Sequence, residues 1–345
     1  MKKSLLWITV LVLGVSMLAV FSLAGCKTTG VTATTAAAET TAAAGLVVAG
    51  VVFQEDQFMK LLEAGYIDAA KKAGVKCLTG NTANDQSKEV ELINTYIAQK
   101  INGLAIAPLD AKTSEPTLKK ANDAGMKIAV TNVELTNAPY VVCGYTSDNK
   151  NIGQTTGAAA AKFIQEKLGG KANIAIVQFK SLLPVQSAAR VDGFLEELKS
   201  LPGVKVVADQ DAWLQDKAIT VVGDILTANK DINIIYAANE GGTIGATMAV
   251  KNAGLAGKVF TFGTDASEQL ISMLKDSDNV LQAIAGQDPY NQGYNAMDTL
   301  IKALKGGDVS ATQGKSTIVP GVLLSRDDLE GIKKFETDLA AKTGK

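Results

Sequence analysis

From residue 46 onward the sequence alternates short apolar runs with longer runs in which apolar residues recur at helical spacing. The apolar runs, such as LVVAGVV at residues 46–52, are continuous, which is typical of strands covered on both faces of a parallel sheet. The series folds back at residues 141–150 and begins again near Lys171 in the same order. The repeat predicts an α/β protein with two Rossmann-like lobes, each built on a parallel sheet.

The length of 345 residues suits two domains of ordinary size. We predict a first lobe from residues 46–147 and about 288–317, and a second lobe from residues 148–287 and about 318–345. The helical pattern of residues 290–305 then belongs to the first lobe, and the apolar run at residues 318–324 is expected to be one strand of the second. The chain therefore crosses between the lobes several times, and these crossings form a hinge.

The first 25 residues have the pattern of an export signal, since Lys2 and Lys3 precede an apolar segment and small residues follow it. The sequence LAGC at residues 23–26 resembles the signal of bacterial lipoproteins, which implies cleavage before Cys26 and a lipid on its thiol. Residues 26–45, rich in Thr and Ala, are predicted to be a flexible linker. We expect a lipid-anchored protein at the outer face of the cytoplasmic membrane, or in the periplasm; an uncleaved membrane anchor is the alternative.

The chain contains no histidine, which removes the commonest general base, the commonest transition-metal ligand and any Ser-His-Asp triad. Cys77 and Cys143 form neither a disulfide framework nor a CxxC metal motif. The formal net charge is −1 for the whole chain, and no basic patch of the kind that binds nucleic acid is present. We therefore expect a protein that is not an enzyme and has no cofactor, metal or nucleic-acid partner.

Polar and aromatic residues follow the predicted strands in both lobes. The fourth strand of the first lobe leads into Asn132, and the fourth strand of the second leads into Asp265. Ligands bind beyond the carboxyl ends of parallel strands, and the repeat places two such edges face to face. Carboxylates and amides bind hydroxyl groups, Arg provides a rigid fork, and aromatic rings cover the apolar faces of a sugar ring. The candidate ligand-binding residues are Asp56, Phe58, Asn132, Arg190, Trp213, Asn239, Asp265 and Gln287.

These residues also have ordinary structural interpretations. Arg190 could pair with a nearby acid on its own predicted helix, such as Asp192 or Glu196. Asn132 and Asp265 belong to residue types that favour turns and helix caps. As a set, however, the candidates predict a site for a small polyol, most simply a sugar.

Several short motifs occur in a common order along the chain. They are EDQFM at 55–59, NDQSKE at 84–89, TSDN at 146–149, R-x-x-G-F at 190–194, GTDA at 263–266 and Q-D-P-Y-x-x-G at 287–293. In this order they resemble the ribose/galactose branch of the bacterial periplasmic sugar-binding proteins, the type I receptors of ABC importers. The resemblance implies the type I periplasmic-binding-protein fold, a monomer, a monosaccharide ligand held by hinge closure, and the transmembrane subunits of an ABC permease as partners.

The resemblance also implies a role for each candidate. Asp56 and Phe58 match positions on the first-lobe wall, where the Phe stacks on the sugar. Asn132 matches a residue that binds ring hydroxyls, Arg190 matches the arginine that grips them from the second lobe, and Trp213 matches the second stacking aromatic. Asn239, Asp265 and Gln287 match the remaining hydroxyl-binding positions.

Departures from the family narrow the expected ligand. Val133 stands where ribose-binding members carry an arginine, and Val52 replaces a small polar residue. Trp213 favours a hexose such as glucose or galactose, although the pocket histidine of those receptors is missing. The alternative is a receptor of the same fold for a non-sugar polyol or a signalling furanose, which reports to a membrane sensor. A sugar-cleaving enzyme would use Asp56 and Asp265 as its paired acids, whereas we expect both to bind hydroxyls.

Overall fold

The computed structural model of the chain describes residues 45–136 and 138–343. Within this part of the chain the residues form two six-stranded sheets with helices packed around them. The predicted α/β class with two lobes is thereby confirmed. The predicted signal sequence, Cys26 and all of the predicted linker except Gly45 lie outside the described residues.

The strands are Val47–Val52 (β1), Lys76–Asn81 (β2), Gly103–Ile106 (β3), Lys127–Thr131 (β4), Val141–Ser147 (β5), Lys171–Gln178 (β6), Gly203–Asp211 (β7), Ile234–Ala237 (β8), Phe260–Thr264 (β9), Leu281–Gly286 (β10), Ser316–Val319 (β11) and Val322–Ser325 (β12). The helices are Gln57–Lys72 (α1), Gln86–Ala98 (α2), Ala111–Asp123 (α3), Asn149–Leu168 (α4), Pro184–Leu198 (α5), Gln215–Ala228 (α6), Glu240–Asn252 (α7), Glu268–Lys275 (α8), Pro289–Leu304 (α9) and Leu329–Thr343 (α10).

The two sheets have the same strand order, position by position. The first runs β2-β1-β3-β4-β5-β11 and the second runs β7-β6-β8-β9-β10-β12. Adjacent strands are parallel throughout the first sheet, whereas β12 lies antiparallel to β10 in the second. Every residue of the inner strands β3 and β8 is buried, as expected for sheets covered on both faces. The carboxyl ends of β4 and β9 are therefore equivalent places in the two lobes.

The run predicted as one strand at residues 318–324 is two strands. β11 pairs with β5 in the first sheet, and β12 pairs with β10 in the second. Pro320 and Gly321 separate them, because proline lacks an amide hydrogen for a ladder and the pair favours a turn. The last crossing between the sheets thus falls at residues 320–321.

Close helix pairs support both lobes, and glycine permits each contact. In the first sheet's layer α9 packs on α1, where a Cβ on Gly293 would overlap the carbonyl oxygen of Leu62. In the second, α4 packs on α5, where a Cβ on Gly153 would overlap the carbonyl oxygen of Arg190. The second contact fixes the backbone of Arg190, so it bears directly on the site. No helix among the described residues is both long and apolar enough to cross a membrane.

Candidate functional site

Equivalent residues leave β4 and β9 with the same unusual backbone. Asn132 has a φ of 68° and Asp265 a φ of 77°, a left-handed conformation that Asn and Asp adopt more readily than other non-glycine residues. The N–H of Asn132 donates to Tyr145 O, and the N–H of Asp265 donates to Ala285 O, both at 2.9 Å. Neither residue is a helix N-cap; Ser267 performs that role for α8. Strain of this kind, repeated in both lobes, is typical of functional sites.

A small cavity of about 40 Å³, here called the central cavity, opens where the carboxyl ends of strands from both sheets meet. Residues from both lobes line it. Seven of the eight candidates are among them: Asp56, Phe58, Asn132, Arg190, Asn239, Asp265 and Gln287. The ends of parallel strands thus bring side chains that are far apart in sequence to one cavity.

All three nitrogens of the Arg190 guanidinium group donate hydrogen bonds. Its Nε donates to Asn149 Oδ1 at 2.9 Å, and its two terminal nitrogens donate to Ala238 O at 2.8 Å and Gln287 Oε1 at 3.2 Å. The guanidinium carbon also lies 5.1 Å from the centre of the Phe179 ring, a cation–π distance. Burial lowers the pKa of Arg190, although nearby Asp265 acts in the opposite direction. Arg190 remains charged and rigid, which suits it to grip a neutral polar ligand.

The alternative of an ion pair along the helix is wrong for Arg190. Glu196 pairs instead with Lys150 on α4, at 2.8 Å. The aromatic ring of Phe194 stacks on Tyr236 with centroids 3.9 Å apart, and the Tyr236 hydroxyl donates to the backbone oxygen of Arg190. The helix is therefore fixed by packing, while the Arg190 side chain is turned toward the cleft.

Asp265 is buried and continues this network. Its carboxylate accepts from the side-chain amide of Gln287 and from the backbone N–H of Glu240, the latter at 2.8 Å. Burial raises the pKa of Asp265, whereas the charge of Arg190 and these two hydrogen bonds lower it. Arg190, Gln287 and Asp265 thus form one connected polar wall on the second-lobe side.

Asp56 and Phe58 form the facing wall at the start of α1. Asp56 is the N-cap of the helix and accepts from Met59 N at 2.8 Å, while its second oxygen accepts from Gln54 Nε2. The pKa of Asp56 is raised from 3.8 to about 6: burial is the main cause and nearby Asp265 adds to it, while the Met59 hydrogen bond acts in the opposite direction. Asp56 therefore both caps its helix and faces the cavity.

Several buried polar atoms without a hydrogen-bond partner lie around this cleft. Among the described residues they include Gln54 Oε1, Asn132 Nδ2 and Glu240 Oε2. Buried polar groups in native proteins are almost always hydrogen-bonded, so these three atoms, at the central cavity or the cavity beside it, are places where a polar ligand could form hydrogen bonds. The arrangement can bind hydroxyl groups from both lobes at once.

Trp213 does not line the central cavity. It lines a larger adjoining cavity of about 980 Å³, and its backbone oxygen accepts from Asn239 Nδ2 at 2.9 Å. Sequence reasoning also missed several residues that line the central cavity: Phe53, Gln54, Met59, Phe179, Leu182 and Leu183. Phe53 directly follows β1 and Phe179 directly follows β6, so the position of each after a strand was a signal that could have found it, whereas the others give no signal beyond nearness to strand ends.

The family described as the periplasmic binding protein domain matches residues 46–308, which is most of the chain. The chain belongs to this periplasmic binding protein family. The resemblance inferred from the sequence motifs is thereby confirmed.

Among the relatives of this periplasmic binding protein is the ABC transporter periplasmic-binding protein YphF of Escherichia coli, 30% identical over 64% of this chain and 68% of the relative. The D-allose-binding periplasmic protein of the same organism is 29% identical over 72% of this chain and 81% of the relative. A solute-binding protein from Actinobacillus succinogenes, solved with bound D-allose, superposes with a TM-score of 0.74 at 27% identity, covering 84% of this chain and 99% of that one.

Proposed function

We propose that this periplasmic binding protein is the extracytoplasmic sugar receptor of an ABC importer and holds a monosaccharide between the walls of the central cavity, which must move apart to make room for a sugar ring. The observation that carries the proposal is the convergence of Asp56, Asn132, Arg190 and Asp265 from two lobes on one cavity. Relatives named for D-allose and ribose binding support a sugar as ligand.

The chemistry of the cavity favours a hexose such as glucose or galactose. Phe58 offers an aromatic surface for an apolar ring face, while Asp56 and Asp265 accept from hydroxyl groups in charge-assisted hydrogen bonds. Val133, where ribose receptors resembled by this sequence carry arginine, is buried. D-Allose, the ligand named for one relative, is also a hexose.

Hinge closure is the proposed mechanism. A sugar that contacts both walls binds the closed arrangement better than the open one, and this difference in binding free energy drives closure. The hinge segments lie next to ligand groups, since Arg190 bonds to Asn149 just after β5 and to Gln287 just after β10. The ligand-facing network is thus connected to the segments that must bend.

The cellular setting is part of the proposal. The family supports an extracytoplasmic location and the membrane subunits of an ABC permease as partners. Lipidation at Cys26, anchoring at the outer face of the cytoplasmic membrane and a monomeric state extend the proposal beyond the family. Labelling of intact cells with a radioactive fatty acid, compared between the natural chain and Cys26→Ala, tests the anchor; equal labelling would contradict it.

A thermal-shift screen tests the ligand. The purified protein is incubated with glucose, galactose, allose, ribose, xylitol and myo-inositol. A ligand at 100 times its Kd stabilises by about 2.7 kcal/mol, so we expect a clear rise in Tm with a hexose. Asp265→Asn, which keeps a residue tolerant of positive φ, should abolish the shift, whereas the exposed Val206→Ala should retain it.

Two other results of this screen would change or contradict the proposal. A shift with xylitol or myo-inositol alone would replace the sugar by a non-sugar polyol. A hexose shift that Asp265→Asn leaves unchanged would place the site outside the central cavity and contradict the proposal.

A further inference from the structure

A second cavity, here called the outer cavity, adjoins the central cavity. Its volume is about 980 Å³, against about 40 Å³ for the central one. Gln54, Asp56 and Asn239 line both cavities. A ligand longer than one sugar ring, held by its terminal ring in the central cavity, would pass along these shared residues into the outer one.

Trp213 is the aromatic surface of the outer cavity. It is partly buried and follows β7, and the hydrogen bond from Asn239 Nδ2 to its backbone oxygen holds it in place. The start of α7 packs directly against the same oxygen, because a Cβ on Gly241 would overlap it. These two contacts fix the backbone of Trp213, and its indole is the aromatic group that the outer cavity offers for stacking on a sugar ring.

The first lobe supplies polar groups to the outer cavity. Gln54 donates through Nε2 to Asp56, while its Oε1 is buried without a partner, which is the condition of an acceptor awaiting a ligand hydroxyl. Asn81 fixes the neighbouring loop, since Nδ2 donates to Glu55 Oε1 and Oδ1 accepts from Ala83 N, both at 2.8 Å. The loop is thus held as a wall of the cavity.

The second lobe contributes further polar groups. Glu240 Oε2 is buried without a partner at the same cavity. The side-chain amide of Gln215 donates to Met248 Sδ at 3.6 Å, and a thioether is a weak acceptor that a ligand hydroxyl can replace. An aromatic platform faced by amide and carboxyl groups is the chemistry that binds a pyranose.

We propose that the outer cavity is a second sugar subsite, which lets the receptor bind not only a monosaccharide but also, and more tightly, a disaccharide or other glycoside. Its terminal ring occupies the central cavity and its second ring stacks on Trp213. The glycosidic linkage passes between Asp56 and Asn239. This inference rests on the proposed sugar-receptor function and deepens it.

Isothermal titration calorimetry on the purified protein tests the subsite with matched pairs: glucose against cellobiose and maltose, and galactose against melibiose and lactose. We expect at least one disaccharide to bind at least tenfold more tightly than its monosaccharide. Trp213→Ala and Gln215→Ala should each reduce this ratio severalfold, and Trp213→Phe should restore most of it. Val206→Ala, on the strand that leads to Trp213 but outside both cavities, should leave the ratio unchanged.

Two results would overturn the subsite. If monosaccharides bind as tightly as every disaccharide, and Trp213→Ala weakens a monosaccharide strongly, Trp213 belongs to the wall of the central cavity and only the second subsite fails. If no sugar of either size binds, the subsite falls together with the proposed sugar-receptor function.

Discussion

The burial of Glu240 leads to a prediction about how the free energy of unfolding depends on pH. Glu240 is the first residue of α7, only 8% exposed, and it adjoins the central cavity without lining it. Its pKa is raised from 4.5 to about 8: burial is the main cause and nearby Asp265 and Asp56 add to it, while hydrogen bonds from the Phe58 N–H and the Ser267 hydroxyl act in the opposite direction. Ionising Glu240 in the folded protein therefore costs free energy, and Glu240→Gln removes that cost.

The sign and size follow from the two pKa values. The pKa of Glu240 is higher in the folded than in the unfolded protein. Protonated Glu240 therefore contributes stability that is fully present below about pH 4.5 and is lost as the pH rises through about 8. With ~1.4 kcal/mol for each pKa unit, the loss is about 3 kcal/mol at pH 7. Between pH 5 and pH 8 we expect Glu240→Gln to become more stable, relative to the natural chain, by about 3 kcal/mol.

Urea unfolding at half-unit steps from pH 5 to pH 8 measures this difference. Glu91→Gln, an exposed carboxyl on α2, is the matched control and should follow the natural chain at every pH. A constant difference between Glu240→Gln and the natural chain over this range would refute the reasoning, because Glu240 would then keep an ordinary pKa in the folded protein.

Three further perturbations test the packing around the site. Arg190→Met leaves the Arg190 acceptors unpaired in a buried place and should lower the free energy of unfolding by about 3–5 kcal/mol; a loss below about 1 kcal/mol in urea would contradict the network. Gly293→Ala should lower Tm by several degrees because its Cβ would overlap Leu62, whereas Gly223→Ala, with open space around it, should raise stability by up to about 1 kcal/mol; equal Tm changes would show that the helix contact is loose. Asn132→Gly should keep or slightly raise stability, since glycine accepts the positive φ, while sugar binding measured by calorimetry weakens at least tenfold; unchanged binding would remove Asn132 from the site.

Much of the fold follows from local sequence patterns. Continuous apolar strands alternating with helical spacing specify covered parallel sheets, and the repeat of that series specifies two lobes with the same strand order. Parallel strands end at a common edge, so the positions after β4 and β9 could be recognised as Asn132 and Asp265 without knowledge of the packing.

Other features depend on contacts that no local pattern encodes. Trp213 follows a strand, as other candidates do, yet it lines the outer and not the central cavity. Its place there depends on the packing of the start of α7 against its backbone oxygen. That Glu240 is a buried acid could not be predicted from local sequence, because its environment is made by residues from both lobes. The division of residues 318–324 was foreseeable, however, since Pro320 and Gly321 interrupt the apolar run.

The central claim is that a sugar binds between the lobes in contact with the polar wall of Asp265. Trp213 and Trp7 are the only two tryptophans in the chain, and Trp7 lies in the predicted signal sequence, so tryptophan emission from the processed protein reports on the cleft. Titration with the sugar that gives the largest thermal shift should change this emission to saturation at one sugar per chain, and Asp265→Asn should abolish the change. Saturable binding by calorimetry with no change in Trp213 emission, and with the same affinity in Asp265→Asn, would contradict the account.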